Sequence, residues 1–293
     1  MNDKNLEPLS RLIKEWIRQS HGWFWYSKLD SDLKIESAEA KQLRRVVVKG
    51  LFDSGEVERD PKVDGRYRRI DSELLEINWQ GADATAVVPL KFPFQLEDYV
   101  KIFPKSIMVV AGTSNAGKTA LLYNIVIMNM NNLVIDLYNS ETNADQMKER
   151  FDNFEIEIPN PAPFRSFERY DNFADVIDPD HISVIDYLDF NSEVYEVGEE
   201  LERMFRKLRS GVVITAIQKK ASWITSKGQE VKTELGYGGT FSVKKSSLYL
   251  SMDPNRLKIV KAKSWRDSTF NPNGLEWTFN LIKGAKFVNI FRQ

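Results

Sequence analysis

The chain has 293 residues, 42% hydrophobic and 28% charged, with a net charge of −1, the balance of a water-soluble globular protein with room for one ordinary domain and one small one. It has no cysteine and only two histidines, His21 and His181, which excludes disulfides, thiolate zinc and cysteine nucleophiles and leaves a carboxylate as the expected proton acceptor. No apolar run approaches the length of a membrane span. The opening MNDKNLEPLS lacks the basic-then-apolar layout of a secretory leader, so the expected compartment is a reducing cytoplasm.

Residues 1–75 read as a separate small domain. Leu9, Leu12, Ile13, Trp16 and Ile17 follow amphipathic helical spacing, and the aromatic cluster Trp23-Phe24-Trp25-Tyr26 leads into a short helix ending near Leu33. Ser37 reads as the N-cap of a second clear helix that buries Leu43, Val46, Val47, Gly50 and Leu51 and turns Lys41, Arg44, Arg45 and Lys49 to other faces. Gly55 stops that helix, and Glu56–Asp60 and Arg66–Ile70 are extended arms around a turn at Gly65. Helix, turn, helix and Gly-tipped hairpin resemble a winged helix-turn-helix domain. Between Lys41 and Ile70 nine Lys/Arg stand against five Asp/Glu, which favours duplex DNA contact by that helix, with Arg66, Arg68 and Arg69 near phosphates. A protein-docking winged helix is the alternative.

Residues 76–104 read as a connector containing Pro89, Pro93 and Pro104. The rest, 105–293, is expected to be one α/β domain. Its first motif is GTSNAGKT, Gly112–Thr119, which fits G-x-x-x-x-G-K-S/T between an apolar strand (Ile107–Ala111) and a helix (Lys118 to Met130). The glycines Gly112 and Gly117 let the backbone of Thr113, Ser114, Asn115 and Ala116 curl around a phosphate, and the helix N-terminus favours negative charge. Lys118 would reach the β- and γ-phosphates of ATP, and the Thr119 hydroxyl would ligate Mg²⁺.

Further strand-length apolar runs follow at Leu133–Tyr138, Ile182–Asp186, Val212–Ile217, Ser247–Met252 and Leu257–Lys261, with room for crossover helices such as Val194–Leu208. They predict a mostly parallel sheet covered on both faces, ending in an antiparallel hairpin, Leu275–Ile282 and Lys286–Phe291. Asp186, closing an apolar strand, is the candidate Walker B carboxylate, supporting Mg²⁺. The next residue is Tyr187 instead of a glutamate, so the water-activating base is expected at another strand end. Glu141 in LYNSE is that candidate, with Asp189 a weaker one. The alternative for Glu141 is an acidic residue near a helix start.

Together GTSNAGKT, LYNSETNADQMKERF and VIDYLDF resemble the RecA-like core of DnaB-type replicative helicases and their phage relatives, over about residues 90–293. The resemblance implies that a strand-end Glu activates water. It also implies that the strand ending at Gln218 lies between the Gly112 and Asp186 strands, where Gln218 senses the γ-phosphate. The loop Lys219–Gly239 would face single-stranded DNA in a central channel; residues 219–245 hold six lysines and two acids. In LKIVKAKSWRDS, Lys263 and Arg266 resemble trans-acting fingers that enter the neighbouring subunit's site, although Ser264-Trp265 departs from the common K-x-R spacing and leaves Lys261 as an alternative. The implied activity is that of a Mg²⁺-dependent, nucleic-acid-stimulated ATPase in a homo-oligomeric ring, a hexamer, acting as a DNA helicase or translocase in replication or recombination. A non-unwinding recombinase-like or loader ATPase, or an ATP-gated DNA-binding initiator, are the rivals. The helical N-terminal domain of those helicases has no counterpart here.

Overall fold

The computed structural model describes residues 6–20, 22–71, 74, 76–188, 196–219, 223–224, 230–231 and 233–293. Contacts divide the chain into two compact units, 1–82 and 83–293.

The first unit comprises α1 (Leu6–Gln19), β1 (Trp23–Trp25), α2 (Tyr26–Asp32), α3 (Ala38–Asp53), β2 (Val57–Arg59) and β3 (Arg66–Arg69). The strands form an antiparallel sheet in the order β1-β3-β2. The Ser37 hydroxyl caps α3 by accepting from Ala40 N–H, and Gly55, at φ +75°, lets Glu56 N–H turn back to Leu51 C=O. Ile13, Ile17, Phe24, Leu29, Val47, Val48 and Leu51 make the core. Three expectations for α3 are corrected, the first being Gly50, which is exposed and not on the buried face. Val46 is 58% exposed, whereas Arg44 is buried, ion-paired with Asp30 and seated 4.0 Å over the Tyr26 ring. The Arg44 stem packs like an apolar residue while its head meets a carboxylate, which a binary reading of charge does not anticipate. The aromatic cluster contributes a strand because β3 pairs with it, Trp23 opposite Arg68 and Trp25 opposite Arg66.

The second unit starts earlier than the Gly112 strand. Leu90, Phe92, Phe94, Leu96, Val100 and Ile102 are buried in its core, so residues 83–104, read as connector, belong to this unit, with a 3₁₀ segment at Pro93–Asp98. Then come β4 (Ser106–Gly112), α4 (Lys118–Asn129), β5 (Ile135–Asn139), α5 (Ala144–Asp152), β6 (Arg165–Glu168), α6 (Phe173–Val176), β7 (Ile182–Leu188), α7 (Glu196–Lys207) and β8 (Val212–Gln218). The short pair β9 (Trp223–Ile224) and β10 (Glu230–Val231), then α8 (Thr240–Lys244), β11 (Leu248–Asp253), β12 (Arg256–Ala262), β13 (Glu276–Ile282) and β14 (Lys286–Arg292) complete it.

Nine strands form one sheet, β14-β13-β12-β11-β4-β8-β7-β5-β6. Pairings from β11 to β6 are parallel, and β11-β12-β13-β14 are antiparallel. Alternate residues of β4 feed two cores: Met108 and Val110 on one face, Ile107, Val109 and Ala111 on the other. That alternation is why the buried strands read as continuous apolar runs. Strand β6 (RSFE) is exposed along its length and carries no apolar signal. Its Arg165 pays for burying Asp136 by a two-pronged bond of 2.7 and 2.8 Å. Among the described residues no helix is long and apolar enough to cross a membrane.

Candidate functional site

Register brings the functional strand ends together. Gly112 lies opposite Gln218 on one side and Met252 on the other, and Asn139 lies opposite Asp186. Because β4, β8, β7 and β5 are parallel neighbours, their carboxyl ends share one edge of the sheet, where open α/β sheets hold ligands. The Gln218 strand does lie between the Gly112 and Asp186 strands.

From Gly112 the chain makes a turn through Thr113–Ala116 and enters α4 at Lys118. Gly117, at φ +94°, occupies the N-cap and offers no side-chain cap, so the first N–H groups of α4 lack that partner. A Cβ at Gly112 would stand 2.7 Å from Lys118 Cγ, and one at Gly117 would meet Leu281 of the C-terminal hairpin at 3.2 Å. Gly112 therefore answers to close approach, and Gly117 to close approach and to its left-handed backbone. Thr113 and Ala116 are buried, while Ser114 and Asn115 are exposed at the tip.

Lys118 folds back over this turn. Its Nζ donates to Gly112 O (3.1 Å), Thr113 O (3.0 Å) and Gln218 Oε1 (2.9 Å). Burial pulls its ammonium below the ordinary lysine value, and the Glu141 and Asp186 carboxylates oppose that fall. The Gln218 amide also donates to Ser114 Oγ and Lys219 O, both at 3.3 Å, and so ties the end of β8 to the tip of the turn.

Thr119 Oγ1 donates to Asp186 Oδ1 at 3.2 Å. Asp186 is buried, and its Oδ2 has no hydrogen-bond partner. Burial pushes this carboxyl up to about 6, against the bond from Thr119 and the positive charges of Arg150 and Lys118. The Asp186–Tyr187 peptide is cis. Glu141 follows β5 by two residues, in a turn held by Asn139 Oδ1, which accepts from Glu141 N–H (3.3 Å) and Thr142 N–H (3.2 Å). Glu141 is exposed and precedes the Asn143 cap of α5, so it is not part of that helix's first turn.

The donor set fits a divalent, oxygen-preferring cation: a hydroxyl, a buried carboxylate with one oxygen unclaimed, and a lysine and glycine-lined turn for anionic oxygens. Among the described residues no three His, Asp or Glu side chains converge to form a cage. Phosphate and water would therefore have to complete the shell, the arrangement Mg²⁺ prefers.

Lys263 and Arg266 are not brought to this edge. Strand β12 runs antiparallel, so Ala262 lies opposite Leu248, which is level with Met108 at the amino-terminal half of β4. That is four residues, on the order of 13 Å, below Gly112 along the strand. Lys263 is exposed, and Arg266 Nε donates to Glu97 O at 3.0 Å. Lys261 is engaged with Val243 O.

Lys219, expected among the cations of a strand-gripping loop, is 3% exposed and bonded to Ser251 Oγ (2.7 Å) and Asp253 Oδ2 (3.0 Å). Arg256 joins the same cluster through Glu276, Glu234 and Asp253, and holds the Glu276 carboxyl down at about 2. The composition of the loop was legible; which lysine the fold buries was not. Lys220, Lys227, Lys232 and Asp189 lie outside the described residues.

The arginines expected near DNA phosphates are also committed. Arg66 bonds Asp60 at 3.1 Å and Arg68 bonds Glu58 at 2.6 Å, while Arg69 faces Asp71 at 3.5 Å. The exposed cations Lys41, Arg45 and Lys49 of α3 follow i, i+4, i+8 spacing and make no ion pair among the described residues.

No protein-family model matches the chain, and no curated protein matches it significantly.

Proposed function

We propose that the chain is a Mg²⁺-dependent ATPase with a RecA-like core, stimulated by nucleic acid and acting as a homo-oligomeric helicase or translocase. The observation that carries this reading is the convergence of Lys118, Thr119, Asp186 and Gln218 on one glycine-bounded turn at the carboxyl edge of the parallel strands. In it, Lys118 exchanges the carbonyls of Gly112 and Thr113 for phosphate oxygens, and the uncapped first turn of α4 donates to the same anion. Mg²⁺ held near Thr119 and Asp186 would neutralise charge on the phosphates. Glu141, exposed and without a hydrogen bond to its carboxylate among the described residues, takes the proton of the attacking water. Gln218, released when Lys118 turns to phosphate, reports occupancy to the loop that begins at Lys219.

Arg266 and Lys263 fit a role only on a neighbouring subunit, given their distance along the sheet from their own Gly112 turn. For the first unit, the α3 stripe Lys41, Arg45 and Lys49 supports nucleic-acid contact in a winged-helix manner, whereas the paired Arg66 and Arg68 do not. ATP turnover measured with and without single-stranded DNA, beside particle mass with nucleotide bound, tests the reading. Stimulation by DNA in an oligomer supports it. A monomer with DNA-indifferent turnover contradicts it.

A further inference from the structure

The three hydrogens of the Lys118 ammonium are all taken by the protein itself. Nζ donates to Gly112 O at 3.1 Å, Thr113 O at 3.0 Å and Gln218 Oε1 at 2.9 Å, and an ammonium has three donors. To bind an anion, Lys118 has to give up at least one of these bonds. The two carbonyls lose little by it, because each keeps a backbone donor. Lys219 N–H reaches Gly112 O at 2.9 Å, and Ala116 N–H reaches Thr113 O at 3.3 Å. Gln218 Oε1 accepts from Lys118 alone among the described residues. The other end of that amide is tied down as well. Its Nε2 donates to Ser114 Oγ and to Lys219 O, both at 3.3 Å. With its oxygen on an ammonium and its nitrogen on a hydroxyl and a carbonyl, the amide has a single satisfying orientation. The bond to Lys219 is local, whereas Ser114 lies 104 residues away in sequence, at the exposed tip of the turn.

We propose that Ser114 is a positioning residue that holds the Gln218 amide on Lys118, latching the turn against phosphate until that amide is displaced. Only chains in which the latch is open can take a phosphate, so apparent affinity falls with the latched fraction. One neutral hydrogen bond shifts such an equilibrium by roughly two- to tenfold. Because Ser114 is exposed, removing its hydroxyl strands no buried partner, and the effect on the latch can be read without damage to the fold. The proposal rests on the reading of Gly112–Thr119 as a phosphate site.

The test titrates the full-length chain with ADP and Mg²⁺ in a calorimeter. ADP is the probe because it lacks the γ-phosphate that Gln218 is proposed to sense, so a change at Gln218 reports the latch. The unmodified protein is compared with Ser114→Ala, Gln218→Ala, the double variant and the conservative Ser114→Thr. Ser114→Ala and Gln218→Ala are each expected to bind ADP about twofold to tenfold more tightly. The double variant should bind no more tightly than Gln218→Ala, because Ser114 acts through that amide. Ser114→Thr keeps the hydroxyl and should keep the unmodified affinity. A gain below about twofold in Ser114→Ala, or a loss, overturns the proposal while leaving the phosphate site standing. A gain from Ser114→Ala that persists in full beside Gln218→Ala also overturns it, since the serine would then act without the amide. Failure of every one of these proteins to bind ADP overturns the phosphate reading and the proposal together.

Discussion

Thr119 and Asp186, 67 residues apart in sequence, meet at 3.2 Å where α4 starts beside the end of β7. The contact leaves one buried carboxylate oxygen without a partner, in a molecule that otherwise pairs its buried Asp136. A charge buried this way destabilises the metal-free fold. Asp186 titrates near 6 in the folded chain against 3.8 in an unfolded one, so the folded state binds the proton more tightly. Stability of the metal-free protein should be greatest below about pH 4 as far as this group is concerned, and should fall as pH rises through 6. Its full extent is on the order of 3 kcal/mol. Urea unfolding at pH 5 and 7.5 checks this, and Asp186→Asn should remove most of the difference and be the more stable protein at pH 7.5.

Glu141→Gln should bind ATP with near-normal affinity and lose turnover by about 10²–10⁴-fold, as expected for removal of a general base. Single-turnover hydrolysis beside a binding titration separates the two effects. Normal turnover in that variant would remove Glu141 from the mechanism and turn attention to another acid.

Arg44 and Arg45 should part company. Arg44→Ala strands the partly buried Asp30 carboxylate and is expected to cost about 3–5 kcal/mol of the first unit's stability. Arg45→Ala, at an exposed position, should stay within about 0.5 kcal/mol. Denaturant melts of the two variants make the comparison; equal effects would mean the Arg44–Asp30 pair is not what fixes α3 to α2.

Lys219→Met should lower stability by about 2 kcal/mol, the loss of a charged hydrogen-bond partner, with the salt slope of DNA binding unchanged. A slope reduced by about one would mean that the side chain leaves Asp253 to reach phosphate.

Much of this architecture could be read from residues. Continuous apolar runs marked β4, β7 and β8 within a residue or two, because strands buried on both faces need no alternation. The GTSNAGKT spacing fixed where strand gives way to helix, since only glycine tolerates both the close approach of Lys118 and the positive φ at 117. What escaped was decided by long-range pairing. Strand β6 exists because β5 pairs with it and Arg165 reaches Asp136. Residues 76–104 looked like linker because Pro89, Pro93 and Pro104 punctuate them, yet Leu90, Phe92 and Leu96 are buried in the second unit's core. Arg44 and Lys219 looked like solvent-facing charge, and nothing local announces that Asp30 and Asp253 wait for them.

The central claim is that the turn between β4 and α4 holds the phosphates of ATP. Calorimetric titration of the full chain with ATP and Mg²⁺ measures it directly, run beside Lys118→Ala. One site per chain in the unmodified protein, lost or weakened at least tenfold in the variant, is the predicted result. Equal binding by the two proteins, or heat from neither, would contradict it.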